Sequence, residues 1–231
     1  MLSFVVPAYN EELVILATLS SIHEAMKAVG GEYEIVVADD ASTDRTAAIA
    51  AEAGARVVHV ENRQISKTRN AGARAAKGDR LVFVDADTHV NAEVIRGAIW
   101  SLDHGAVGGG ATPRFDDEAP RYARWMIKWV LMQMRWFRMA AGCFVFVRRD
   151  AFEAVGGFDE RHFAGEEIML SWALRRHGRM EILPEHVITS SRKFRSRSVW
   201  NTAWITLRLF LRGFGGARSR EHTSFWYDGK R

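Results

Sequence analysis

The 231-residue chain is 48% hydrophobic and 26% charged, which excludes a disordered polymer and leaves enough apolar material for one sizeable core. A single cysteine, Cys143, excludes an internal disulfide framework and fits a reducing compartment. No apolar run is long and charge-free enough to span a bilayer, and Met1 leads directly into an apolar strand. Neither a transmembrane segment nor a cleaved secretion signal is therefore expected, and a cytoplasmic location is. The net charge of +4 is unevenly spread, with arginine concentrated in residues 121–138 and 192–220, so the expected partner is anionic: a phosphate ligand, a lipid surface or nucleic acid.

In chain order, apolar runs at residues 2–7, 34–38, 56–60 and 81–84 read as strands, and amphipathic stretches at 11–28, 44–53 and 65–76 read as helices between them. Strands alternating with helices of this length predict crossover units and a mostly parallel, Rossmann-like sheet flanked by helices. Residues 91–104 read as a further helix with Asn91 as its cap. Residues 106–113 read as a strand whose glycines let backbone or ligand come close.

Ligands of such sheets sit beyond the carboxyl ends of the strands, and polar residues gather there. Strand one runs into Pro7-Ala8-Tyr9-Asn10-Glu11-Glu12, strand two into Asp39-Asp40-Ala41-Ser42-Thr43-Asp44, and strand four into Asp85-Ala86-Asp87. Carboxylates collected on one edge repel one another unless a cation or hydrogen-bond donors lie among them. Oxygen ligands at this spacing suit Mg²⁺ or Mn²⁺ carrying a diphosphate. Plainer uses exist for some of them: Asn10 and Asp44 as helix caps, Glu11 and Glu12 as first-turn acids. Arg63, Lys67, Arg69 and Arg74 share one helix-like segment, whose leading cations are placed to reach phosphates.

Together with Arg69-Asn70-Ala71-Gly72 and Gly78-Asp79, the three loops resemble the motifs of family 2 glycosyltransferases of the GT-A fold, in the family's order and spacing over roughly residues 1–110. The resemblance implies a nucleotide-sugar donor, usually UDP-linked, and an inverting transfer that needs Mn²⁺ or Mg²⁺. By position it implies that Asp40 reads the uracil ring with Asp39 beside it. Pro7, Tyr9 and Glu11 line the nucleoside. Asp85 lies against the ribose and in the first metal shell, Asp87 ligates the metal, and Asn10, Ala86 and Arg69 belong to the donor site. It divides a single domain, 1–231, into a nucleotide-sugar half to residue 112 and an acceptor half from 113.

In the second half, residues 116–141 carry Trp125, Trp129, Met132 and Trp136 at helical spacing with arginines on another side, which reads as either core packing or a lipid-facing surface. Residues 142–149 read as a strand, Asp150 with Glu153 as a helix cap, and 156–160 as a turn. The family's Gly-Phe-Asp turn followed by an acidic pair corresponds to Gly157-Phe158-Asp159 and Glu166-Glu167. The resemblance makes the second acid the general base; glutamate replaces the expected aspartate, so both Glu167 and Glu166 stand as candidates. Residues 180–183 and 186–189 read as two short strands, and Arg192 with Lys193 as a basic loop, which the resemblance implies closes over the diphosphate and which reads equally as a solvated turn. Residues 199–214 read as a C-terminal amphipathic helical extension with Trp200, Trp204, Arg208 and Arg212. With the earlier tryptophan helix it suits a carbohydrate or lipid-linked acceptor, peripheral contact at the inner face of the membrane, or a homodimer contact. A non-catalytic binding module of the same fold is the rival reading, favoured only by the Glu167 departure. A nucleic-acid partner is not expected, because acidic loops would repel its phosphates.

Overall fold

The computed structural model describes residues 1–115, 132, 136, 139–162 and 165–190. Four parallel strands come first: β1 (Leu2–Ala8), β2 (Tyr33–Asp40), β3 (Arg56–Val60) and β4 (Arg80–Val84). They are joined by α1 (Ile15–Val29), α2 (Thr46–Glu52) and α3 (Ile65–Ala75). A two-residue β5 (Thr88–His89) and α4 (Ala92–Asp103) follow. Then come β6 (Ala106–Phe115), β7 (Phe144–Arg148), α5 (Arg149–Ala154), α6 (Glu166–Leu174) and β8 (Arg179–Thr189). One eight-stranded sheet holds them in the order β3-β2-β1-β4-β7-β6-β8-β5. β1, β2, β3 and β4 pair in parallel, as do β6 and β8, whereas β7 runs antiparallel to both β4 and β6, and β5 antiparallel to β8.

Alternation along the strands sorts the core into two layers. Phe4, Val6, Val82, Val84, Phe144 and Phe146 pack with α1 and α4 on one face. Val5, Leu81, Phe83, Val145 and Val147 pack with Phe152, Phe158, Leu170 and Leu174 on the other. Every residue of β1 is buried, which a strand covered on both faces requires. Its pairing with β4 stops at Val5, before Pro7, which has no N–H to give to a ladder.

Asn91 caps α4 as its sequence context predicts, its side chain accepting from the N–H of Val94 at 2.9 Å. Asp150 does not cap: α5 begins one residue earlier, and Asp150 sits in its first turn paired to Arg148. The two strands expected at 180–183 and 186–189 are one strand, β8. Pro184 and Glu185 form an irregularity that β6 spans by stepping from Ala111↔Leu183 to Thr112↔His186, so the missing proline N–H costs a local bulge instead of ending the strand. The glycines of β6 serve backbone approach: a Cβ on Gly109 would stand 2.0 Å from the Glu181 carbonyl oxygen. Residues 116–131, 133–135, 137–138, 163–164 and 191–231 lie outside the described residues, and with them most of the first expected tryptophan helix, all of the second and the Arg192-Lys193 loop; Met132 and Trp136, which are described, are exposed. Among the described residues no helix is long and apolar enough to cross a membrane.

Candidate active site

The carboxyl ends of β1 and β2 are laced to each other before any ligand arrives. Asn10 N–H donates to Ser42 Oγ at 3.0 Å and Thr43 N–H to Asn10 Oδ1 at 2.8 Å. Glu11 N–H donates to Thr46 Oγ1 at 2.7 Å, Glu12 N–H to Asp44 Oδ2 at 3.2 Å, and Arg45 N–H to Glu12 Oε2 at 3.0 Å. Asn10 and Ala41 adopt left-handed φ of 52° and 57°, a conformation that costs a non-glycine residue about 1–2 kcal/mol and that the lacing holds in place. Asn10 and Asp44 thus build the rim; neither is the N-cap residue of α1 or α2. Tyr9, half-buried, lies under the Arg63 guanidinium at 4.5 Å, so that cation meets an aromatic face.

Adjacent aspartates at the end of β2 have opposite fates, because neighbouring strand residues point to opposite faces. Asp40 is filled by the protein itself. Its Oδ1 accepts from the N–H of Asn62 at 2.6 Å and Arg63 at 2.9 Å, and its Oδ2 from Gln64 N–H at 3.3 Å and Thr68 Oγ1 at 2.9 Å. It therefore pins the turn that opens α3, and no carboxylate oxygen is left over for a base. Asp39 is equally buried, at 3% exposure, but its Oδ1 has no hydrogen-bond partner, while Oδ2 lies 3.1 Å from His59 Nδ1. An orphaned acceptor at the carboxyl edge of a parallel sheet is what a ligand donor would fill.

α3 turns its polar side inward. Ser66, Thr68, Arg69 and Asn70 are all buried. Asn70 grips Phe158 through both backbone groups, accepting its N–H and donating to its carbonyl, each at 2.9 Å. Gln64 and Ser66 donate to the His162 carbonyl at 3.1 Å. Gln64 and Ser66, which sequence reading passes over, and Asn70, which it meets only as part of a motif, fix the turn that leads to the acidic pair; the signal was a helix with polar residues on the side its neighbours bury.

Arg69, expected to reach the donor, is instead a buried hub. Nη1 donates to Glu166 Oε1 at 2.7 Å, and Nη2 to Asp85 Oδ1 at 2.7 Å and to the Gly142 carbonyl at 2.8 Å. The side chain is 3% exposed, with Glu166 at 7% and Asp85 at 30%. Burial and charge make this partnership obligatory, since a buried guanidinium without carboxylates is strongly disfavoured. Glu166 is consumed by the hub. Glu167, half-buried one residue on, makes no ion pair among the described residues, and burial together with the charge of Glu166 pushes its carboxyl up to about 8.

Asp85-Ala86-Asp87 follows β4 as expected. Ala86 is buried and its carbonyl accepts from Thr18 Oγ1 at 2.7 Å; the Asp87 carbonyl accepts from Ser190 N–H at 3.2 Å. The Asp85 N–H donates to the Cys143 carbonyl at 3.2 Å, and burial together with the negative charge of Asp85 and Asp87 raises the Cys143 thiol. Among the described residues no group of three His, Cys, Asp or Glu side chains gathers to hold an ion. Two carboxylates at a strand end, one braced by Arg69, fit a divalent ion that takes its remaining oxygens from a diphosphate and water, which is how Mg²⁺-like ions bind. Arg192 and Lys193 lie outside the described residues.

A family model described as Glycosyl transferase family 2 matches residues 3–156. The undecaprenyl-phosphate 4-deoxy-4-formamido-L-arabinose transferase of Edwardsiella ictaluri is 36% identical over 110 residues, covering 45% of this chain and 34% of that protein. The Pseudomonas fluorescens protein of the same name is 30% identical over 209 residues, covering 80% of this chain and 61% of that one. The chain spans 28% of the uncharacterized glycosyltransferase EpsJ of Bacillus subtilis, to which it is 32% identical over 101 residues. It therefore spans less than two thirds of each of these relatives. In fold it resembles Staphylococcus aureus TarS 1-349 in complex with UDP, with a TM-score of 0.66 at 21% identity over 82% of this chain and 60% of that one. It also resembles a Pyrobaculum calidifontis mannosyltransferase in complex with GDP-Man and Mn²⁺, with a TM-score of 0.67 at 21% identity over 90% of this chain and 60% of that one.

Proposed function

The chain belongs to glycosyl transferase family 2 and has its GT-A fold, and on that footing we propose that it moves a sugar from a UDP-sugar to an acceptor hydroxyl or lipid phosphate, with inversion. The observation that carries this reading is the division of labour between Glu166 and Glu167 around Arg69. One acid is neutralised inside the hub, and the other is held half-buried with the proton affinity a general base working near neutrality needs. Glu167 takes the proton of the acceptor hydroxyl as its oxygen bonds to the anomeric carbon. The bond from that carbon to the diphosphate breaks on the opposite face, and the nucleoside diphosphate departs with the electron pair. Asp87, with Asp85 behind it, would hold Mn²⁺ or Mg²⁺, which neutralises charge on the diphosphate. Arg69 keeps Asp85 and the helix carrying Glu167 in register, so that nucleophile and leaving group stay in line.

In this reading the nucleobase is received by Asp39, whose buried Oδ1 is the unpartnered acceptor, and Asp40 anchors the surrounding turn. Pro7, Tyr9, Glu11 and Ala86 line the nucleoside, and Arg192 and Lys193 close over the diphosphate. The division at residue 112 then separates donor from acceptor halves of one domain. The undecaprenyl-phosphate transferases among the relatives favour a lipid-linked acceptor met at the inner face of the membrane, with the tryptophan-bearing segments as the contact or as a dimer surface. Release of UDP from a panel of UDP-sugars, with and without Mn²⁺, tests the assignment. Turnover that depends on the ion and falls by about 10²–10⁴ in Glu167→Gln is expected; no UDP release from any donor by the intact chain overturns it.

A further inference from the structure

We propose that His59 sets the nucleobase preference by occupying one of the two oxygens of Asp39. The inference rests on the reading of Asp39 as the base-receiving carboxylate and deepens it. β2 and β3 pair in parallel with Asp39 opposite His59, so the ring sits beside the carboxylate by register and not by a flexible reach. His59 Nδ1 lies 3.1 Å from Asp39 Oδ2, and because a carboxylate accepts, the nitrogen is the donor. Oδ1 is buried and has no partner.

A carboxylate with one oxygen already engaged offers a base a single good acceptor. The uracil edge matches it, presenting one N3–H between two carbonyls. The guanine edge does not, because N1–H and the 2-amino group are adjacent donors that call for both oxygens of one carboxylate. Cytosine has no ring N–H to give. Engaging Oδ2 therefore selects uracil twice over: it fixes the carboxylate's rotation so that Oδ1 meets N3–H, and it withholds the second acceptor that guanine needs. A site that leaves a buried donor or acceptor unpaired rejects the wrong ligand strongly. His59 is itself 71% exposed, so its removal leaves the core intact.

The test is titration calorimetry of UDP and GDP in the presence of Mn²⁺ on the full chain, the His59→Ala and His59→Asn variants, and Asp39→Asn. The wild type is expected to prefer UDP by at least about tenfold, roughly 1.4 kcal/mol. His59→Asn, whose amide nitrogen falls near the position of Nδ1, keeps that preference, and His59→Ala brings the two nucleotides within about threefold. Asp39→Asn abolishes it. A His59→Ala protein with the wild-type ratio, alongside an Asp39→Asn protein that has lost it, overturns the assignment to His59 while leaving Asp39 as the reader. An Asp39→Asn protein that still prefers UDP overturns both. Equal loss in His59→Asn and His59→Ala also overturns the hydrogen-bond account, since ring volume would then be what matters.

Discussion

Replacing Arg69 by methionine removes the charge and keeps most of the volume. Glu166, 7% exposed, then has no cation within reach among the contacts described, and the Gly142 carbonyl loses its donor. Breaking a buried pair from one side costs roughly 3–5 kcal/mol, because the surviving charge stays desolvated. Asp85 adds less, since at 30% exposure water can replace the lost partner. At about 2–4 °C per kcal/mol for a chain of this size, Arg69→Met should lower Tm by roughly 6–20 °C at pH 7. Adding Glu166→Gln to Arg69→Met should recover a good part of the loss, since the stranded charge is gone, giving a favourable coupling of about 1–3 kcal/mol in the double-mutant cycle. Differential scanning calorimetry on the four proteins reads both quantities. An Arg69→Met protein melting within 2 °C of wild type, or a double variant no more stable than the single, would refute the hub as the element holding the site together.

Glu167 gives a pH signature whose sign is set by its raised carboxyl. Between the ordinary carboxylate range and about 8 the folded chain keeps a proton that the unfolded chain has released, so stability should fall as pH rises through that window. Glu167→Gln should flatten this slope, melt above wild type at pH 9, and lose about 10²–10⁴ in kcat; a wild-type melting curve unchanged from pH 5 to 8 would count against the buried acid. Asp40→Asn puts an amide NH2 where one oxygen accepts two donors, disrupting two of the four contacts, and should cost about 1–3 kcal/mol by denaturant titration, while leaving the UDP-to-GDP ratio untouched, which separates it from Asp39→Asn. Asn91→Ala removes the single capping acceptor of α4 and should cost about 1 kcal/mol in the same titration, with no change in UDP affinity.

The layered sheet through β6 was legible because its signal is local: apolar runs such as Phe4-Val5-Val6 and Leu81-Val82-Phe83-Val84 declare strands buried on both faces, and Asn91 declares a helix start. The clustering of the rim acids was legible for a related reason, since carboxylates at the ends of such strands repel one another unless donors or a cation lie among them, and Asp40 and Asp85 have such partners in the Asn62 to Thr68 turn and Arg69. What could not be read was which member of each acidic pair faces a ligand. Asp39 and Asp40 differ only in the side of the pleat they occupy, and the choice is fixed by partners in β3 and α3, at His59 and at Asn62 to Thr68. Glu166 and Glu167 are sorted the same way, by Arg69, 97 residues earlier in the chain, and Asn70 reaches Phe158 across 88. Hydrophobic periodicity carries no record of such pairings, because a buried arginine and a solvated one occupy the same helical spacing. Arg69, read among the cations of a phosphate-reaching segment and placed in the donor site, is for that reason the residue where expectation and structure part most widely. Its burial is also what leaves Glu167 as the acid outside an ion pair, so the feature that sequence misplaced is the one on which the assignment of the base depends.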